Sequence, residues 1–272
     1  MSERLYDVPA ARKAISLIEL LCESPQPMGV SEISQRLELN KNMVFRLVRT
    51  LSDLGWIVAD HDNVLKYRMT LQPFQHTSKP VSRLNVRVAA AEPLHHLWET
   101  TQQSCYLCIL DQRRALCIEH LDATGDLRFA ARVGGHYYLH ASAPGKVLLA
   151  YSGDELLRQL GKADLPARTP KTITDKRALK EHLAAVVAAG YAVDDMENVD
   201  GVICLAVPIF GPDDKLVGTL GLSSLTFNYT TPQLVGELGP LVMEAGQATS
   251  RTMGASEERM TVGTRFVAVG TD

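Results

Sequence analysis

Residues 40–55 read Asn-Lys-Asn-Met-Val-Phe-Arg-Leu-Val-Arg-Thr-Leu-Ser-Asp-Leu-Gly, the pattern of a helix with two different faces. Val44, Leu47, Val48, Leu51 and Leu54 recur at helical spacing and make an apolar stripe. Asn42, Phe45, Arg46, Arg49 and Asp53 repeat at the same spacing on the other side. Asn40 suits the N-cap and Gly55 the left-handed position past the C-terminus, so both ends are marked. Asn and Arg side chains match the hydrogen-bonding edges of bases and the oxygens of phosphates. Alone, the pattern also fits a solvated helix face, so the flanking elements decide its meaning.

Upstream, Ala11, Ala14, Ile15, Ile18, Leu21 and Cys22 form an amphipathic helix, stopped by Ser24-Pro25-Gln26-Pro27. Ser31 is placed to cap a short helix with Ile33 and Leu37 on its buried side. The few residues from Leu37 to Asn40 are the turn length of a helix-turn-helix. Downstream, Trp56-Ile57-Val58 predicts a strand and Asp60-His61-Asp62-Asn63 a turn. Leu65, Tyr67 and Met69 then alternate with Lys66 and Arg68, giving a second strand with one apolar and one basic face. Three helices and a hairpin are the order of a winged helix. Its positive charge is clustered, with Lys41, Arg46 and Arg49 on the third helix and Lys66 and Arg68 on the wing. Residues 1–70 nonetheless hold nine Lys/Arg against nine Asp/Glu, so non-specific attraction to phosphate is expected to be modest. One such module has a small footprint, and a dimer on two half-sites is expected.

The 272 residues suggest two domains. No apolar run is long enough to span a bilayer, and Met-Ser-Glu-Arg-Leu-Tyr-Asp lacks the pattern of a signal peptide. A cytoplasmic protein with no membrane partner is expected. Cys105 and Cys108 have the spacing of a metal knuckle but sit in Ser-Cys-Tyr-Leu-Cys-Ile-Leu. Three positions apart in a strand they point to opposite faces, so they read as core residues and no metal site or cofactor is assigned. The histidines His95, His96, His120 and His140 are scattered, with no ligand spacing.

Residues 70–84 hold two prolines and no periodicity, marking a boundary. Residues 85–101 read as helix, with Val88, Ala91, Leu94, Leu97 and Trp98 on one side. Strands follow at 105–110, 115–121 and 127–133, the last closed by Gly134-Gly135. Helices are expected at 154–160 and 176–189, the second ended by Gly190, and Tyr191-Ala192-Val193 opens another strand. Residues 203–210 and 216–222 pair across Gly211-Pro212-Asp213-Asp214. A final helix to about 249 is capped by Thr231 with Pro232 at its start. The fold class is α+β: a winged helix-turn-helix at 1–70, a linker and connecting helix at 71–101, an antiparallel sheet domain flanked by helices at 102–254, and a tail at 255–272 in which 264–269 can add a strand.

Two stretches can hold a ligand. His140-Ala141-Ser142-Ala143-Pro144-Gly145-Lys146 runs into a helix whose free amides suit an anion, though a tight, empty helix entry reads the same way. Asp194 and Glu197 stand before Gly201-Val202-Ile203-Cys204-Leu205-Ala206 and either face a pocket or make a solvated loop. Catalysis would draw on Ser142, His140 or Cys204, but no nucleophile elbow, phosphate loop or zinc motif accompanies them, so no catalytic residue is assigned.

These residues carry a resemblance. Gly190, Asp194, Glu197, Cys204, Leu205 and Ala206, followed by Ile209 and Phe210, match the spacing of the signature of the IclR family of bacterial transcription regulators. The signature's closing Asp or Asn is Gly211 here. The His-Ala-Ser-x-x-Gly-Lys run at 140–146 is a second hallmark. The resemblance covers nearly the whole chain. It implies a ligand-responsive regulator of a catabolic operon, either repressor or activator. It also implies an effector domain similar to GAF and PAS sensors, with a small organic acid or aromatic metabolite held in a cup. By matched position, Phe129, Ala143, Pro144, Asp194, Val202, Cys204, Gly221 and Ser223 line that cup, while the outward face of the third helix and the wing, read above, make Lys41, Asn42, Phe45, Arg46, Arg49, Lys66 and Arg68 the expected operator contacts. Homodimers, or dimers of dimers, are implied as well. Relatives taking small keto or hydroxy acids often carry serine in place of Gly221 and a glycine-rich pair in place of Ala143-Pro144. Fewer hydrogen bonds and more room are therefore expected, suiting a larger acid. Two alternatives stay open: an assembly protein with an empty cup, and an enzyme with a vestigial winged helix.

Overall fold

The computed structural model describes residues 8–60, 65–73, 75, 85–125 and 132–261. The chain divides into two compact units, Met1–Val81 and Ser82–Asp272. Among the described residues no helix is long and apolar enough to cross a membrane.

The first unit is a winged helix. Helix α1 (Pro9–Glu23) packs Leu17 and Leu21 into the core. The expected stripe is rotated: Ile15 is 55% exposed and Cys22 is exposed, while Leu17, absent from that stripe, is fully buried. Apolar residues nearly surround this helix, and the neighbouring elements select the arc that faces inward. Strand β1 (Met28–Gly29) precedes α2 (Val30–Arg36), whose N-cap is Gly29 and not Ser31. Helix α3 (Lys41–Asp53) begins as its sequence predicts, with the Met43 amide donating to Asn40 Oδ1 at 2.9 Å. Gly55 follows it at φ 74°. Val44, Val48 and Leu51 are buried, but Leu54 is 56% exposed because it is the C-cap, beyond the packed turns. The wing is the hairpin of β2 (Ile57–Asp60) and β3 (Lys66–Met69), with Ile57 opposite Met69. β1 adds a third strand by pairing Met28 with Tyr67. Residues 61–63 of the expected turn lie outside the described residues.

The second unit is a six-stranded antiparallel sheet between two helical layers. Its strands are β4 (Ser104–Asp111), β5 (Arg114–Leu121), β6 (His136–Tyr138), β7 (Ala192–Asp195), β8 (Val202–Phe210) and β9 (Leu216–Leu225), in the order β6-β5-β4-β9-β8-β7. The third strand expected at 127–133 falls largely outside the described residues; the strand observed in that part of the sheet is β6. Helices α4 (Asn85–Thr101) and α8 (Gly239–Met253) cover one face, and α5 (Ala143–Tyr151) and α7 (Lys176–Ala189) the other. A short α6 (Asp154–Gln159) lies between the latter two in sequence. Every residue of β8 is buried, because Cys204 and Ala206 face one layer and Ile203, Leu205 and Val207 the other. Cys105 and Cys108 likewise point to opposite faces.

Helix α4, read in the sequence as part of a connecting segment, packs inside this unit. Its core residues are Val86, Ala90, Leu94 and Leu97; Val88 is 71% exposed and Ala91 is exposed. The α8 region begins one residue earlier than expected, because Thr230 and not Thr231 accepts from the Gln233 amide and the Gln233 side chain returns the bond. A π-helical turn, Leu234–Leu238, joins that start to α8. Within the expected tail, α9 (Glu257–Thr261) is helical, and the strand proposed at 264–269 lies outside the described residues.

Candidate nucleic-acid interface and ligand cup

The outer face of α3 carries Lys41, Asn42, Phe45, Arg46 and Arg49, all exposed. Phe45 is 49% exposed, on the face of the helix opposite the buried stripe. Burial of Val44, Val48 and Leu51 turns these residues outward, since the two sets alternate at helical spacing. On β3, burial of Tyr67 turns Lys66 and Arg68 to solvent in the same way. Among the described residues no carboxylate pairs with any of these five cations.

The cup lies in the second unit between α5 and the sheet. Asp194, Cys204 and Ser223 are successive register partners on β7, β8 and β9, so their side chains share one face in a row. Cys204 Sγ and Ser223 Oγ are 3.1 Å apart. Against this row stands the start of α5. Ser142 caps it, accepting from the Gly145 amide at 3.1 Å and donating to Tyr138 O at 2.8 Å. Gly145 is needed here, because a Cβ would come within 2.3 Å of Tyr138 O. The expected free amides are largely spent: Pro144 has none, and those of Gly145 and Lys146 are bonded to Ser142.

Between these elements is a cavity of about 20 Å³, room for one water. Of the residues matched by resemblance, Pro144, Asp194, Cys204 and Ser223 line it. Ala143 and Val202 are buried in the core beside it, and Phe129 lies outside the described residues. The lining also includes Tyr106, Cys108, Tyr137, Ser142 and Asn198. Tyr106 and Cys108 carried a legible signal, alternating with core residues Cys105 and Leu107 along β4. The room expected over Gly221 is not present. Gly221 is the register partner of Tyr106, whose phenol donates to Leu205 O at 3.1 Å and sits 2.8 Å from where a Gly221 Cβ would be. The cross-strand aromatic ring takes the volume that the missing side chain leaves.

Helix α5 is buried from Ala143 to Leu149, including Lys146. A lysine on such a helix requires an anionic partner, and Lys146 Nζ donates to Glu197 Oε1. Glu197 Oε2 has no partner among the described residues. Burial pushes the Glu197 carboxyl upward against the opposing pull of Lys146. Asp194 Oδ1 accepts from the amides of Glu197 at 2.7 Å and Asn198 at 3.2 Å. Burial still lifts its carboxyl to about 7, outweighing Lys146 and those amides. Thr169 and Thr172 clamp this loop by donating to Met196 O at 2.7 Å and Glu197 O at 2.6 Å. Burial also drives the Cys204 thiol and the Tyr106 phenol upward, so neither is a ready nucleophile or base.

Residues 10–61 match a sequence model described as the IclR helix-turn-helix domain, and residues 78–251 match one described as the C-terminal part of the bacterial transcriptional regulator IclR. The chain is 31% identical over 248 residues to the HTH-type transcriptional regulator XynR of Escherichia coli, covering 91% of this chain and 98% of XynR. It is 28% identical to KdgR of the same organism over 91% and 93% of the two chains. The crystal structure of Thermotoga maritima IclR superposes with a TM-score of 0.79 at 25% identity, over 91% of this chain and 99% of that one. An IclR homologue of Microbacterium hydrocarbonoxydans, solved with 4-hydroxybenzoate, shares the fold at a TM-score of 0.76 and 23% identity, over 91% and 100%.

Proposed function

Because the chain belongs to the IclR family of bacterial transcriptional regulators, we propose that α3 reads operator DNA in the major groove while the cup of the second unit senses a small organic acid. Lys41, Asn42, Phe45, Arg46 and Arg49 meet base edges and phosphates, and Lys66 and Arg68 on the wing meet the backbone. Two copies on two half-sites supply the affinity that one small module lacks. Action on operator DNA is the support for a cytoplasmic location.

The observation that carries the sensing role is the row Asp194, Cys204 and Ser223 facing the capped start of α5 across a cavity. A cavity of about 20 Å³ is the contracted state; an organic acid of several heavy atoms selects a wider one. Coupling of about 1–3 kcal/mol between that widening and the DNA-competent arrangement suffices for regulation. The acid class follows from the polar row set in an otherwise apolar cup, and an aromatic acid is included because the relative solved with 4-hydroxybenzoate has the same fold. No chemistry on the ligand is proposed: the Cys204 thiol is held protonated and the Ser142 hydroxyl is engaged in capping.

The small cavity also favours a second reading, a regulator whose cup stays closed and unliganded. A thermal-shift panel of aliphatic and aromatic acids separates the two, since a ligand confined to the folded state raises Tm by mass action. A hit that also changes operator affinity supports sensing. No shift with any acid, together with specific operator binding, supports the closed cup.

A further inference from the structure

Asp194 on β7 is 1% exposed and faces the cup from beside the Lys146–Glu197 pair. The other groups packed around it are Tyr106 and Cys108 on β4, Tyr137 on β6, whose phenol burial lifts to about 12, Cys204 on β8, Ser223 on β9 and Lys146 on α5. Burial keeps Tyr106, Cys108 and Cys204 in their neutral forms. His182 on α7, which Lys146 influences, is pushed down to about 4 and is also neutral near pH 7. Among the described residues Lys146 is the buried cation facing Asp194 and Glu197, its hydrogen bond goes to Glu197, and the neighbouring Asp195, which also feels it, is paired with Lys171. With Asp194 ionised, the buried set already carries one uncompensated negative charge. A carboxylate entering the cavity adds a second negative charge among buried side chains, and like charges held that close favour retention of a proton by one of them.

We propose that the cup takes up an organic acid as its carboxylate together with one proton from solvent, and that this proton resides on Asp194. The protonated carboxyl then donates a hydrogen bond to the bound carboxylate, while its Oδ1 keeps the amides of Glu197 and Asn198. The balance is ligand carboxylate plus proton plus Asp194 carboxylate, giving ligand carboxylate bonded to Asp194 carboxylic acid. This rests on reading the cup as the effector site. It makes the regulator's response depend on acid and pH jointly, in a range set by an Asp194 carboxyl that burial holds at about 7. The sign is fixed: below that value the proton is already present, and above it each binding event must recruit one, so affinity falls about tenfold per pH unit.

Calorimetry of the whole chain with pyruvate, glyoxylate and 4-hydroxybenzoate tests this, near pH 6 in phosphate and in Bis-Tris, and near pH 8 in phosphate and in Tris. The two buffers have different ionisation heats and so count protons. The expected result is about one proton taken up near pH 8, almost none near pH 6, and a Kd about tenfold weaker at the higher pH. Asp194→Asn is expected to abolish both the buffer dependence and the pH dependence of any binding that it retains. Binding with no proton uptake near pH 8 and a pH-independent Kd overturns the inference and leaves the sensing role intact. No binding of any of the three probes near pH 6 overturns both.

Discussion

Lys146 and Glu197 are bonded to each other inside the second unit, the lysine fully buried and the glutamate 6% exposed. One partner lies in the first turn of α5 and the other, 51 residues later, in the loop after β7, so the pair ties α5 to the signature stretch. Removing one member strands the other's charge. Lys146→Met is expected to destabilise the fold by about 3–5 kcal/mol in urea unfolding. Lys146→Met combined with Glu197→Leu is expected to recover most of that loss below about pH 7, because the one carboxyl left facing the vacancy, Asp194, is already held largely protonated by burial. A single substitution as mild as a surface change would show that the pair is not held away from water.

Asp194 carries the strongest pH signature in the cup. Its folded-state carboxyl lies at about 7 against an ordinary value of 3.8, so between those limits the native state holds a proton that the unfolded chain has released. Stability assigned to this group therefore falls as pH rises, by up to about 1.4 kcal/mol per unit, and levels off above the folded value. Asp194→Asn keeps an oxygen acceptor for both amides and does not titrate. Its Tm is expected to gain steadily on the wild type from about pH 4 to about pH 7, then hold a constant lead.

Gly221 is fixed by its neighbours. An added Cβ would lie 2.1 Å from Leu205 O and 2.8 Å from the Tyr106 hydroxyl. Gly221→Ala is expected to lower stability by about 1–3 kcal/mol. Adding Tyr106→Phe relieves only the softer conflict, so the double variant should stay well below wild type. Full rescue would mean that the phenol, and not the β8 backbone, sets the limit.

On the DNA side, the two groups of contacts should fail differently. Arg46→Ala is expected to weaken binding to the operator by about 1–3 kcal/mol and relax sequence preference, as for an arginine reading a base. Lys66→Ala and Arg68→Ala are expected to weaken all sequences alike and to reduce the salt dependence of binding by about one ion each. Salt titrations on specific and scrambled duplexes separate these outcomes. An Arg46→Ala protein with unchanged affinity and footprint removes that residue from the interface.

Several elements were legible because their determinants are local. Asn40, the apolar spacing of α3 and Gly55 lie within one short segment, and the helix they predict is the one observed. The same holds for α7, ended by Gly190 at φ 77°, and for the β8–β9 hairpin. The two stripe assignments that shifted, on α1 and α4, share a cause. Their apolar residues spread over more than one arc, and only the packed neighbours choose among arcs: Leu17 in place of Ile15, and Ala90 in place of Ala91.

The sequence alone determined most of the order of elements, the winged helix with its outward Asn and Arg face, and the membership of Asp194, Glu197 and Cys204 in one motif. Spacing and capping act over a few residues and can be read there. Only the tertiary structure decided what those residues meet. The sheet order sets β4 beside β9, bringing Tyr106 over Gly221, and the docking of α5 brings Lys146 to Glu197. Those encounters depend on strand register and layer packing across tens to more than a hundred positions, where burial of the whole sheet, and not any local preference, selects the partner.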